Sequence, residues 1–363
     1  MMWIQLLLNL QLQVHSYDAH SYSKELQQTQ SGSSSNEEDC NFPLARLKSE
    51  FASVPEAQTW DFDIFEYAST HPEDFMTRIT GFALDHLGSV KSLRLDHKLL
   101  STFIADIQRS YLDHVPYHNA VHATDIVQAV FYTLTCGQDG FRLRDLLTAD
   151  EASALIFAAL GHDINHQGLT NFFLRESKHE LAQIDEENPN ESMHWRVFSD
   201  KLAQWKVLDD LEENRRERLR EMIRELILAT NMDHHAKILS DWKRLEPQFT
   251  LDNPEHRMAL MQYVLKFADI SNPARPKILY DKWTRRLREE LHQEGDKMKE
   301  IGLEPDHTRD RSHKSAVSKV QCWFIQHRVV LYLKNINKFG PQLPEPEAQL
   351  EKNLKDWKKR QAC

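Results

Sequence analysis

Glycine is scarce in this chain, 10 among 363 residues, against a usual share of about 7%. Runs of Val, Ile and Thr alternating with polar residues, the mark of half-buried strands, are also few. These two shortages exclude a β-rich architecture and leave a mostly helical one. The cysteines are few as well: Cys40, Cys136, Cys322 and Cys363 show no CxxC spacing. That excludes a disulfide scaffold and a thiolate zinc site, and it fits a reducing, cytoplasmic setting. Excess positive charge is missing too, since 45 Lys and Arg face 55 Asp and Glu for a formal charge of −10. Nucleic acid and anionic membrane surfaces need clustered cations, so neither is expected as a partner. A small anionic substrate stays open if metal ions bring the compensating charge.

Long apolar runs are absent. The stretch Met1–Val14 is apolar, but it lacks a basic start, is interrupted by Gln5, Asn9, Gln11 and Gln13, and falls short of the ~20 residues of a spanning helix. A frayed helix or the remnant of a longer chain is expected there, not a signal peptide or transmembrane segment. The Ser- and Gln-rich stretch Ser16–Asp39 cannot bury enough surface to offset its ordering entropy. Residues 1–42 are therefore expected to be poorly ordered, and 43–363 to form one main globular domain.

Within that domain, apolar residues recur at helical spacing. The pattern predicts helices over Ile64–Leu87, Lys98–Leu112, Tyr117–Thr135, Ala149–Leu160, Leu169–Ser177 and Met193–Gln204. Six more are predicted over Glu212–Thr230, His235–Leu245, Pro254–Asp269, Lys277–Lys299, Ser312–Asn337 and Glu345–Arg360. The expected class is all-α, a compact multi-helix bundle.

Against this background the segment HNAVHATD stands out. His118 and His122 are four residues apart and share a face if the segment is helical, with Asp125 continuing it. One such pair arises readily in a chain with 19 histidines. A second cluster, GHDINHQG, follows the apolar run ALIFAALG and brings His162, Asp163 and His166. A buried acid there needs a counter-charge, because an unpaired one costs several kcal/mol. Asp269 closes another apolar helix in LKFADISNP and has the same need. Imidazole and carboxylate are ligands for zinc and other divalent ions, so three such segments point to a metal site.

YHNAVHATD, GHDINHQG, ADISNP and VQCWFI, in this order and spacing, resemble the motifs of the class I 3′,5′-cyclic nucleotide phosphodiesterase catalytic domain. The resemblance covers about Phe51 to Trp357 and implies an HD-type fold with a dinuclear metal pocket. It implies that His122, His162, Asp163 and Asp269 hold a zinc ion. Asp163 would also bridge to a second ion, usually magnesium with manganese as an alternative, held otherwise by water. His166, Glu180 and Thr230 match residues that hydrogen-bond those waters. His118 matches the general acid that protonates the leaving 3′ oxygen. The ions, about 3.5 to 4 Å apart, would activate a water and neutralise phosphate charge, giving a nucleoside 5′-monophosphate.

For the base, Gln321 matches the glutamine that pairs with the purine edge and Phe324 the aromatic that stacks on its face. By residue type alone they would read as a surface amide and a core aromatic. Tyr117, Met232, Asn272 and Leu287 match other pocket positions. Asn272 and Tyr280 match cAMP-preferring members, in which the tyrosine holds the glutamine amide for adenine. The implied substrate is a cyclic nucleotide, cAMP favoured over cGMP, with room for a homodimer or a regulatory partner. Departures from the pattern are Asn165, Gln167, Asn231, the single histidine of SMHW, and Trp323, whose indole either reshapes the pocket or faces a neighbouring helix. Two other readings stand beside this one: another HD-type metal phosphohydrolase, and a non-catalytic cyclic-nucleotide scaffold. The retained ligand set argues against the scaffold.

Overall fold

Three of the helices that carry the site start where a short polar side chain takes the orphan N–H groups of the first turn. Asn119 caps one through Val121 N–H at 3.0 Å, Asn253 another through Glu255 N–H at 2.9 Å. Thr148 and Glu151 form a reciprocal capping box on a third. The computed structural model describes residues 51–138, 141–313, 317–339 and 342–361. The expectation of poor order for 1–42 lies outside them, and the described residues belong to one unit spanning 49–363.

The principal helices are α1 (Ile64–Thr70), α2 (Phe75–His86), α3 (His97–Arg109), α4 (Ala120–Thr135), α5 (Ala149–Gly161), α6 (Pro189–Trp205) and α7 (Glu213–Ala229). They continue with α8 (His235–Leu245), α9 (Pro254–Asp269), α10 (Lys277–Glu300), α11 (Val317–Phe324), α12 (Val330–Phe339) and α13 (Pro344–Gln361). Among the described residues, strand pairing is confined to a hairpin joining Gly137–Gln138 to Phe141–Arg142, so the chain is all-α. α4 and α5 are apolar and buried almost all round, which makes them the centre of the bundle. α5 packs on both α4 and α7, and α4 also meets α2 and α9.

Several boundaries differ from the periodicity. The predicted helix Ile64–Leu87 is two helices, broken at His71–Pro72; proline disfavours a helical residue before it and lacks the N–H the ladder needs. The helix expected from Tyr117 begins at Ala120, because Asn119 caps it. Tyr117 and His118 therefore precede the helix, and His118 does not share a helical face with His122. The chain also turns at His162–Asn165, with Asn165 left-handed at φ 62°, a conformation asparagine tolerates. His162 and His166 are thus joined by a turn and not by a helix. In the predicted helix Ser312–Asn337, residues 314–316 lie outside the described ones, and a π turn at Ile325–Val329 separates α11 from α12.

Candidate active site

Three chain segments converge at the inner ends of α4, α5 and α9. His122 comes from the first turn of α4, His162 and Asp163 from the end of α5, and Asp269 is the last residue of α9. His122 Nε2 lies 3.5 Å from Asp163 Oδ2 and 3.4 Å from Asp269 Oδ1. His162 Nε2 lies 3.1 and 3.5 Å from the same two oxygens. His162 Nδ1–H donates to the Ala159 carbonyl at 2.9 Å. In a neutral ring this leaves the Nε2 lone pair facing the carboxylates. His122 Nε2, His162 Nε2 and Asp163 Oδ2 are buried without a hydrogen-bond partner, and their ligand atoms with Asp269 lie within 4.8 Å of one another. Lone pairs facing carboxylates in a dry pocket call for a cation, and two imidazoles with two carboxylates are a donor set for a divalent metal. Burial pushes both acids up, but the imidazoles of His162 and His122 hold Asp269, and those of His162 and His118 hold Asp163, well below the usual carboxylate range.

His118 sits in the bend before α4, fixed by Glu290 of α10, a residue the motif reading did not single out. The Glu290 carboxylate accepts from His118 Nδ1, from His118 N–H at 3.0 Å and from Tyr117 N–H at 2.8 Å. Burial disfavours the imidazolium, yet Glu290, then Asp163, outweigh it and raise His118 to about 9. Burial likewise pushes Glu290 up, and His118 more than reverses it, to about 2. Cations bound at Asp163 and Asp269 would cancel those carboxylates' share, which leaves Glu290 as the partner that keeps a proton on His118. The ring stacks on His166 at 4.2 Å. His166 is pushed down to about 3 by burial and then by His118; its Nδ1 accepts from Gly168 N–H at 2.9 Å, so Nε2 carries its hydrogen.

Glu180 does not join this cluster. It is exposed at the start of the five-residue helix Glu180–Ile184. The buried acid facing Asp163 is instead Glu191 of α6, held by Asn171 Nδ2 at 2.9 Å and raised to about 7, chiefly by burial. Its signal in the sequence was faint, an acid standing directly before SMHW. His194, in that segment, has its Nε2 3.8 Å from Asp163 Oδ1. Thr230 follows α7, its hydroxyl donating to Ile227 and its carbonyl accepting from buried Lys266. Lys266 in turn interacts with Asp269, Glu191 and Asp163.

Behind the cluster, fully buried Arg275 joins the turn after Asp269 to α4. Its guanidinium donates to Asp125 Oδ1 at 2.7 Å, Gln128 Oε1 at 2.6 Å and Trp60 O at 2.9 Å. Asp125 therefore faces Arg275, and the pair ties the helix of His122 to the segment of Asp269 and Asn272.

On the other side, Asn272 Nδ2 donates to the Tyr117 hydroxyl at 2.7 Å, and Tyr117 packs on His122 with ring centres 4.6 Å apart. The Tyr280 hydroxyl donates to Gln321 Oε1. Phe324 and Leu287 are half-buried against the core, and Met232 is 42% exposed just after Thr230. Trp323 stacks on His327 at 5.4 Å with Arg328 over its ring at 5.2 Å; two positions from Gln321 on a helix, it points to another face. Asn231 has a structural part, donating to Glu187 O and Asn188 Oδ1 at 3.0 Å each.

Residues 117–350 match the 3′5′-cyclic nucleotide phosphodiesterase family, and the chain belongs to it. It is 29% identical over 285 residues to rat 3′,5′-cyclic-AMP phosphodiesterase 4C, covering 76% of this chain and 52% of that protein. It is 30% identical over 285 residues to the Drosophila melanogaster 3′,5′-cyclic-AMP phosphodiesterase, isoform F, covering 76% of this chain and 42% of the relative. The chain thus spans about half the length, or less, of the curated relatives it matches. The structure of LmjPDEB1 in complex with IBMX superposes with a TM-score of 0.76 at 25% identity, covering 84% of this chain and 93% of the other.

Proposed function

We propose that residues 43–363 form a catalytic domain that hydrolyses a 3′,5′-cyclic nucleotide, cAMP in preference to cGMP, to the nucleoside 5′-monophosphate. The observation that carries this reading is the convergent, largely buried set of His122, His162, Asp163 and Asp269 beside His118, which is held separately by Glu290. Zinc at that set, with a second divalent ion beside Asp163, would supply an activated water nucleophile and offset phosphate charge. His122, His162 and Asp269 fix the ligand atoms, and Asp163 offers its second oxygen to the neighbouring site.

The step the protein's own groups perform is proton delivery. As a water oxygen bonds to phosphorus, the P–O3′ bond breaks and its electron pair stays on O3′. His118 hands its Nε2 proton to that oxygen, while Glu290 on Nδ1 stabilises the charged ring beforehand. His166 donates from Nε2 towards the waters of the metal pocket.

At the base end, Phe324 stacks on the purine and Gln321 pairs with its edge. With Tyr280 donating to Oε1, the amide presents its NH₂ group and one remaining carbonyl lone pair in a fixed orientation, which suits the acceptor and donor of adenine. The relatives named as cyclic-AMP phosphodiesterases support the same choice. Among the described residues no helix is long and apolar enough to cross a membrane, and the unpaired Cys136 and Cys322 support a reducing, cytoplasmic setting. The test is kcat/KM for cAMP and cGMP with metal analysis on the purified chain. Turnover of both nucleotides at background rate, with metal bound, would overturn the reading.

A further inference from the structure

The turn that carries Asn272 is short of donors of its own. It runs from Asn272 to Arg275 between α9 and α10, with Pro273 inside it and Pro276 directly after it, and neither proline has an N–H to give. Its own backbone bonds, Ala274 N–H to Ser271 O at 2.7 Å and Arg275 N–H to Asn272 O at 3.1 Å, leave the carbonyls of Pro273, Ala274 and Arg275 unused. All three residues are buried, where a carbonyl needs a partner.

The donors are side chains from far along the chain. Trp60 Nε1–H donates to Ala274 O at 2.7 Å. Asn353 of α13 donates through Nδ2 to Pro273 O at 2.7 Å and to Arg275 O at 2.8 Å. Its Oδ1 accepts from Gln349 Nε2 at 3.0 Å, so the NH₂ end of the buried amide faces the turn and spends both hydrogens there. The turn is thus held from two sides. The Arg275 guanidinium fastens it to Asp125 and Gln128 of α4, behind the metal cluster. Asn353 fastens it to α13, which also packs on α11, the helix of Gln321 and Phe324, and lays Trp357 against Tyr280 with ring centres 6.1 Å apart.

We propose that Asn353 is a positioning residue for the base: by suspending the turn from α13 it sets where Asn272 stands relative to Gln321, acting through Asn272 and not on the substrate itself. The inference rests on the hydrolytic reading above, in which Asn272 lines the pocket. Without Asn353, two buried carbonyls lose their donors and the turn relaxes towards water. Asp269 stays on α9 and the Arg275 guanidinium stays on α4, so the base end shifts while the metal cluster and His118 do not.

The test is steady-state kinetics with cAMP, metal analysis and thermal melting on the full chain and three variants. Asn353→Leu keeps the size of the side chain and removes both donors. It should raise KM about tenfold, the scale of buried hydrogen bonds left unmade, with kcat within about twofold, the split expected when only binding is lost. Zinc content should not change. Trp60→Phe, which loses only the donor to Ala274 O, should raise KM about threefold in the same way, and it decides the matter if Asn353→Leu fails to fold. Leu350→Ala removes packing from the same helix without removing a hydrogen bond from the turn. It should lower the melting temperature and leave KM alone. A KM that neither Asn353→Leu nor Trp60→Phe moves, a rise that Leu350→Ala matches, or a loss of zinc overturns the proposal. Parent turnover with an unmoved KM removes this inference alone; a metal-loaded parent that hydrolyses neither nucleotide removes the hydrolytic reading and this one with it.

Discussion

The two ends of the site are built differently. At the metal end most groups are buried and each is held by a second residue: His162 and His194 by backbone carbonyls, the partly buried His118 by Glu290, and the helix of His122 by the Arg275 clamp. At the base end, Gln321 and Phe324 are half-buried on the single helix α11, Met232 is open to solvent, and one hydroxyl orients the amide. Charged groups in a dry pocket cost several kcal/mol when misplaced, so their geometry is determined many times over. Stacking and one amide read a base with far less at stake, and the protein leaves that end looser. Substitutions at the metal end should therefore abolish function, and those at the base end should retune it.

The sharpest break in this contrast is Asp163→Ala. With its bridging carboxylate gone, the second ion should be lost, zinc weakened, and kcat/KM should fall by more than about 10⁴-fold, the scale seen when one member of a catalytic unit is removed. Metal analysis and turnover on the same preparation check this; full metal content with full activity would dissolve the metal end as drawn.

His118→Ala comes next. It should keep metal stoichiometry and lower kcat by about 10²- to 10⁴-fold, the range of a lost general acid, whereas His122→Ala should lose zinc. Equal metal loss in both would make His118 a ligand.

Glu290→Gln should cost less, about tenfold in kcat, and carry a signature in pH. Glu290 raises the His118 pKa, so removing its charge lowers that pKa, and the protonated acid disappears at lower pH. The basic limb of the kcat profile should shift to lower pH with metal content unchanged. An unmoved limb would show that Glu290 does not hold the proton on His118.

The smallest effect belongs to the base end. Tyr280→Phe frees the Gln321 amide to rotate, so the ratio of kcat/KM for cAMP over cGMP should narrow several-fold, within the about 1 to 3 kcal/mol of one unpaired polar group. The gain should come mostly from cGMP turnover. A parent that prefers cGMP, or a ratio the substitution leaves alone, would remove Tyr280 from specificity.

Much of this site was legible in the chain itself because its chemistry concentrates in short segments. HNAVHATD, GHDINHQG and ADISNP carry residue types that make sense together only around a metal, and each sits at one end of an apolar helix. Helices α4, α5 and α9 were visible for the same reason, with apolar spacing and end residues agreeing. The sequence did not reveal which acid faces Asp163. Glu180 and Glu191 are both acids in the first turn of a helix, and only packing leaves the first in solvent and buries the second against Asn171. Nor did it show that His118 lies before its helix, because Asn119 caps the chain one residue later and Glu290, 172 residues away, holds the ring. The orientation of Trp323, the Arg275 clamp and the wiring of His194 are likewise contacts between residues far apart or turns whose direction spacing does not encode. Local composition determined the helices and the kinds of ligand the chain carries; which of those groups are buried, which nitrogen each histidine presents and what stands opposite it depend on distant segments packing together, and only the tertiary structure decided them.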